Sequence, residues 1–408
     1  MVMSHQATHP TIPVLTHPQD GPADLVNTTV SYQAALRRLD RGHGPFAVDA
    51  ERASGYRYGD RNYLIQVRRE GAGTFLIDPT AVDDFSELNA VMAADTWIFH
   101  AAIQDLGPLR DQGLTPGTIF DTEVAARLLG LDRVNLAAVT AHFLGVTLEK
   151  QHSHQDWSTR PLPSSWLTYA ALDVELLGDL AISETDALTE TRKLRWAHEE
   201  FAYIQAQRAI HRPDPWRRTS GIQRVTDRRR LAVVQHLWNE REKIARSKDL
   251  APSRILSDRG IIEAAITLPR TVGALLAIHE FGGAANRRRS HQWQRAINHA
   301  LTLPSSELPP RRLPAPPKLP PHKIWEEKNP LAATRLTAAR EFLDELAATH
   351  HLPVENIIQP KVVRQLLWDA TTTPIDVPAY LTNNQVRPWQ QELVAQTLTM
   401  IIDTITTP

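Results

Sequence analysis

The feature that most constrains this chain of 408 residues is a proline run, LPSSELPPRRLPAPPKLPP at 303–321, with eight prolines between Pro304 and Pro321. Proline fixes φ and offers no N–H, so neither a helix interior nor a central strand can cross this stretch. It reads as an extended linker over 303–325, of which the proline stretch 303–321 in polyproline II geometry spans roughly 55 Å. A softer boundary lies at HRPDPWRRTSG (211–221). The chain then divides into a flexible tail at 1–24, rich in Pro, Thr and His, and three units at 25–212, 220–302 and 326–405.

Composition matters mainly for what it removes. The chain has no cysteine, which excludes disulfides, thiolate zinc sites, iron–sulfur clusters and a cysteine nucleophile. No apolar run approaches the ~18 residues of a membrane helix. The opening MVMSHQATHPTIPVLTHPQD lacks a basic stretch followed by an apolar one, so no signal peptide is expected. The expected location is a reducing cytoplasm, with no membrane, disulfide or zinc partner. The HxH at His152 and His154 and the pair His350–His351 lack the acidic helix partners of a zinc motif, and no phosphate-binding glycine motif is present.

The formal net charge of −1 hides an asymmetry. Residues 1–207 carry 16 Lys/Arg against 27 Asp/Glu, a net of −11, whereas residues 208–295 carry 19 against 8, a net of +11. Such a contrast between segments points toward nucleic acid.

The first unit mixes strands and helices. Strands are predicted at 45–51, 62–68, 74–78 and 96–100, followed by helices at 83–94, 103–112, 122–129, 135–144, 165–180 and about 184–210. This is an α/β layer fold around one mixed sheet. The second and third units show only helical periodicity. In the second, Val234, Leu237, Trp238 and Ile244 share one apolar face; in the third, Leu336, Phe342, Leu343 and Leu346 do.

The informative carboxylates lie in the first unit. Asp49 and Glu51 are two apart at the end of the strand FAVDAE, so both project from one face. Asp105 follows the strand WIFH, at the edge where open α/β sheets keep their sites. Tyr169 and Asp173 are four apart on a helix, one turn from each other. Converging carboxylates repel unless cations neutralise them, and hard oxygen ligands suit Mg²⁺ or Mn²⁺. Two such ions can stabilise both oxygens of an in-line phosphoryl displacement.

In this order the motifs resemble the DEDD exonuclease superfamily, tyrosine subclass, and within it the ribonuclease D family. The first is FAVDAERASGYRYGDRNYLIQV (46–67) and the second IFHAAIQDLGPL (98–109), followed by FDT at 120–122. QDWSTRPLP (155–163) and YAALDVELL (169–177) complete the set. The stretch LWNEREKIARSKDLAPSRILSDRGIIEAA (237–265) resembles an HRDC helical domain, and 326–405 resembles a second copy, notably at 339–367.

The resemblance implies a ribonuclease H-like mixed-sheet exonuclease domain followed by all-α HRDC-type domains. It implies two divalent cations, Mg²⁺ or Mn²⁺, held by Asp49, Glu51, Asp105 and Asp173, with Tyr169 orienting the attacking water. The expected activity is 3′→5′ exoribonuclease, releasing nucleoside 5′-monophosphates from RNA with a free 3′ end, transfer-RNA precursors first among them. A 3′→5′ exodeoxyribonuclease and a non-catalytic nucleic-acid tether are the alternatives. Nucleic-acid contacts are expected from Gln66 and His100 and from Arg241, Lys243, Arg246, Lys248 and Arg254 of the basic segment.

Overall fold

The computed structural model describes residues 12–148, 155–208, 213–313 and 319–407. Residues 1–11 of the expected tail, His152 and His154, and 314–318 of the proline run lie outside that set.

The first unit is built on six strands: β1 (Asp24–Val26), β2 (His43–Arg52), β3 (Asn62–Glu70), β4 (Gly73–Ile77), β5 (Thr96–Phe99) and β6 (Thr118–Asp121). Their order across the sheet is β1-β4-β3-β2-β5-β6. β2, β3 and β4 form an antiparallel meander, while β1, β5 and β6 join in parallel. The expected mixed sheet is therefore present. Its four longer predicted strands are there, and the two short ones at the edges, β1 and β6, are additions. The N-terminal stretch is less free than its composition implies. Val14–Leu15 pairs in parallel with Thr147–Leu148, and the Gln19 N–H donates to Glu175 at 2.6 Å.

Four helices matter for the site: α1 (Thr122–Leu128), α2 (Ser164–Glu175), α3 (Leu177–Glu190) and α4 (Leu194–Ala206). α2 packs on β2, β3 and β4, α3 on β2 and β5, and α4 on β6. The two helices expected over 165–180 and 184–210 are thus three. The chain breaks at Leu176 and again at Arg192, which takes a left-handed φ of 58°.

The second unit is helical, with α5 (Arg228–Lys248) lying against α6 (Ser290–Thr302). It has a core of its own around Leu237, Ile244, Phe281 and Trp293. Trp238 packs against that core from its edge and is half-buried where its helical position predicts burial. The third unit, with α7 (Pro330–His350) and α8 (Pro388–Thr404), is not held out at the end of the linker. It shares one continuous apolar core with the first unit. Trp389 of α8 stacks on Trp196 of α4 with centroids 4.6 Å apart and donates its indole N–H to Glu200 at 2.8 Å.

The second unit docks on the loop between β2 and β3. Asp249 accepts from Arg61 at 2.9 Å and from the Tyr58 backbone N–H at 3.3 Å. Arg254 stands 4.3 Å from the centroid of the Tyr56 ring and donates to the Gly55 carbonyl at 3.0 Å. Among the described residues no helix is long and apolar enough to cross a membrane.

Candidate active site

β2 ends at the C-terminal edge of the sheet, and its alternation puts Asp49 and Glu51 on one face. α2 crosses that face and delivers Tyr169 and Asp173 from successive turns. Asp49, Glu51 and Asp173 each offer a carboxylate oxygen, and the three oxygens lie within 4.8 Å of one another. Gln66 lies directly across from Asp49 in the β2–β3 register and donates to its Oδ2 at 3.4 Å. These groups line a cleft of about 290 Å³, closed by Leu136 and Leu177 and shared with Arg52, His100, Gln104 and Asp105.

Asp105 occupies the cleft but is set apart from the other three acids. It follows a single 3₁₀ turn, Ala102–Gln104, is 4 % exposed, and its Oδ1 accepts from Arg52 Nη1 at 2.9 Å. The turn is held from below by Asp121 at the end of β6. That carboxylate accepts the N–H groups of Ala101 and Ala102 at 3.1 and 2.8 Å, and caps α1 through Glu123 at 3.0 Å.

The electrostatics are those of a cage short of positive charge. Burial, and then repulsion by Asp49, Asp173 and Asp105, pushes Glu51 up to about 10. Burial first and Asp49 second raise Asp105 and Asp173, while Arg52 opposes the rise at Asp105. Burial also raises Asp49 and, with Asp173 and Glu51, the Tyr169 phenol, which hydrogen-bonds Asp173. His100 is pushed down to about 4 by burial and is neutral; its Nδ1 lies 2.8 Å from the Thr122 hydroxyl. An all-oxygen cluster that resists ionisation when empty of cations fits divalent metal ions.

The residues expected to touch nucleic acid divide differently. Gln66 is 0 % exposed and serves Asp49 rather than a ligand. Arg241 is 6 % exposed, with Nη1 on Asp258 at 2.6 Å and Nε 3.4 Å from Glu242, so it is a strut inside the second unit. Arg254 is spent on docking, as above. Arg246 reaches across to the first unit and donates to the Tyr58 hydroxyl at 3.3 Å. Lys243 is exposed and 3.6 Å from Glu240, and Lys248 is exposed without a partner among the described residues.

Sequence reasoning passed over Arg52, Asp121 and the anchor supplied by QDWSTRPLP. Trp157 of that segment is 0 % exposed and lies 6.4 Å from the Tyr169 ring. Arg160 fixes Asp78 through two 2.6 Å bonds. Arg52 and Asp121 lie within quoted motifs, and the signal for Asp121 was an acid directly ahead of a helix start, a capping position.

Residues 25–183 match the family described as 3′-5′ exonuclease, residues 230–297 the HRDC domain, and residues 318–402 the 3′ to 5′ exonuclease C-terminal domain. The third unit, expected to resemble a second HRDC copy, falls in the last of these. Ribonuclease D of Gluconacetobacter diazotrophicus is 30 % identical over 344 residues, covering 79 % of this chain and 86 % of that one. Ribonuclease D of Escherichia coli is 26 % identical and covers 91 % and 96 %. A crystal structure of a protein from Bifidobacterium adolescentis has a TM-score of 0.90 at 37 % identity, covering 96 % of this chain and all of that one. The crystal structure of Escherichia coli RNase D, an exoribonuclease involved in structured RNA processing, shares the fold with a TM-score of 0.68 at 24 % identity, over 94 % and 99 % of the two chains.

Proposed function

The chain belongs to the ribonuclease D family and is a metal-dependent 3′→5′ exoribonuclease, and we propose that it works with two divalent cations, Mg²⁺ or Mn²⁺, held by Asp49, Glu51, Asp105 and Asp173. The observation that carries this reading is the meeting of three carboxylate oxygens within 4.8 Å beside a tyrosine one helical turn from Asp173. When bound, the cations supply charge compensation for the carboxylates, acidity for the attacking water and stabilisation of the departing 3′ oxygen.

The chain's own residues do the positioning. The Tyr169 phenol keeps its proton, because burial and the neighbouring carboxylates disfavour the phenolate. It is therefore a hydrogen-bond donor that fixes the Asp173 carboxylate and orients the water attacking the last phosphodiester. Gln66 holds Asp49, and Asp121 holds the turn that carries Asp105. A cleft of about 290 Å³ lies at the small end of ligand pockets and suits one terminal nucleotide. Attack by water breaks the bond to the 3′ oxygen of the penultimate nucleotide, and the terminal residue departs as a nucleoside 5′-monophosphate.

Structured RNA is the substrate class that the Escherichia coli relative is described as processing, and we propose the same class here, with 3′ trimming of transfer-RNA precursors as the role that the sequence resemblance implies. The expected location is the cytoplasm. The test is a 5′-labelled RNA, with a matched DNA and a transfer-RNA precursor bearing a 3′ extension, incubated with Mg²⁺ or Mn²⁺. Single-nucleotide shortening of the RNA that stops with EDTA, and is abolished by Asp49→Asn or Asp173→Asn in a folded chain, is expected. Tyr169→Phe is expected to slow turnover severely while metal binding, read by calorimetry, persists. Full activity in Asp49→Asn, or equal degradation of the DNA, would overturn the assignment of site or of substrate respectively.

A further inference from the structure

The second unit carries a groove of about 930 Å³ that shares no residue with the catalytic cleft. Its walls are α5 and α6, and its end is Tyr58 from the β2–β3 loop, seven positions beyond Glu51 in the chain. The groove explains the exposure of Trp238. This indole packs against the core on one side and lines the groove on the other, and its N–H has no partner among the described residues. The imidazoles of His236 and His299 lie beside it with centroids 4.7 Å apart. Arg246 stands 5.5 Å from the centroid of the Tyr58 ring. Arg295 of α6 is exposed and has no ion pair or hydrogen bond among the described residues.

Two carboxylates also line the groove, and both are already engaged. Glu240 accepts from Gln292 at 2.5 Å and faces Lys243 at 3.6 Å, and Glu242 faces the buried Arg241 at 3.4 Å. What remains available is a set of flat aromatic faces beside Arg295, which is unpaired among the described residues, and the exposed Lys243 and Arg246, each held by one weak contact. That is the chemistry that stacks successive bases and tracks a phosphate backbone without reading sequence. The surrounding segment, 208–295, has a net charge of +11 against −11 for residues 1–207, so a polyanion is drawn to this side of the molecule.

We propose that the α5–α6 groove holds single-stranded RNA on the 5′ side of the nucleotide being removed, with Trp238 as a base-stacking platform and Arg295 as a phosphate contact. The proposal rests on the exoribonuclease reading and adds the path taken by the strand outside the cleft. It also assigns binding to residues other than Arg241 and Arg254, which structure and docking consume.

The test uses the full chain. Binding of a fluorescein-labelled single-stranded 16-nucleotide RNA is measured in the Asp49→Asn background, so that it is read independently of turnover. Adding Trp238→Ala is expected to raise Kd about 10-fold, with recovery in Trp238→Phe. Adding Arg295→Glu is expected to weaken binding and flatten the salt dependence by about one unit of log slope. In the active chain, the ratio of kcat/KM for the 16-mer to that for a dinucleotide is expected to fall by the same factor. Unchanged Kd, salt slope and length preference in the folded Arg295→Glu and Trp238→Ala chains would overturn the groove, leaving the exonuclease reading standing and pointing to a protein partner for this face. A wild-type chain that shortens neither RNA would instead overturn the exonuclease reading, while the binding arm still decides the groove.

Discussion

The carboxylate of Asp121 accepts the backbone N–H of Ala101 across 3.1 Å, and that bond joins the end of β6 to the turn carrying Asp105. Ala101 sits at a φ of 68°, a left-handed conformation that residues with a Cβ adopt only when their surroundings hold them there. Asp121 is the holder, with a second bond to Ala102 and a cap on α1. Asp121→Ala is expected to lower kcat about 10- to 100-fold, the usual cost of removing the support of a ligand. Ala101→Gly in the same chain should recover part of the loss, because glycine takes positive φ without strain. Steady-state kinetics on a short RNA checks both; failure of the glycine to help would mean that Asp121 acts otherwise.

Glu184 in α3 is 0 % exposed, neither of its oxygens has a hydrogen-bond partner among the described residues, and burial followed by repulsion from Asp121 pushes it up to about 10 from an ordinary 4.5. Between those values the native chain keeps a proton that the unfolded chain has lost. Stability therefore falls as pH rises across this window, by at most about 1.4 kcal/mol per pH unit. Thermal unfolding of the metal-free chain between pH 6 and 9 should show a shallower decline for Glu184→Gln than for the wild type. Parallel declines would mean that the Glu184 carboxylate ionises freely.

The first and third units should melt together and the second by itself, since the first and third share a core and the second has its own. Trp389→Ala removes a fully buried indole and the donor to Glu200. A loss of about 3–5 kcal/mol is expected, felt in the transition that contains the exonuclease sheet. Scanning calorimetry distinguishes this from an effect confined to residues 325–405, in which the sheet's transition would stay where it was.

Arg241→Ala should damage the fold of the HRDC unit rather than its affinity for RNA. Arg241 is buried but Asp258 is partly exposed, so losing these charge-assisted bonds costs about 1.5–3 kcal/mol, and Asp258 and Glu242 both depend on this guanidinium. The exposed Lys248→Glu should leave the same melting transition within about 0.5 kcal/mol. Equal stability of the two variants would return Arg241 to the list of surface cations.

The sheet's long strands and the four carboxylates were legible in the sequence because period-two alternation and motif spacing are local signals. β1 and β6 were not: three residues carry too little pattern to separate β1 from loop, and β6, no shorter than β5, runs straight into α1 and reads as the lead-in to that helix. The break at Arg192 was hidden because charged residues on both sides fit a continuous amphipathic helix equally well. Arg241 and Arg254 read as phosphate contacts because sequence displays a charge and not its partner. The partners, Asp258 and the Tyr56 ring, are brought in by the tertiary fold. The proline run speaks only to local backbone geometry; the direction of return was set elsewhere, by the apolar face of α4. Nothing in that face tells which segment will cover it.

The same pairing of α4 with α8 places a demand on synthesis. Trp196 emerges from the ribosome with the rest of the exonuclease unit, whereas Trp389 follows only after nearly half the chain has been made. At a translation rate of about 5–20 residues per second, the interval is on the order of tens of seconds. Through that interval α4 can fasten to β6 on one side but keeps an open seam on the other. The catalytic half is begun first and closed last, and a chain cut short before Trp389 leaves that seam exposed.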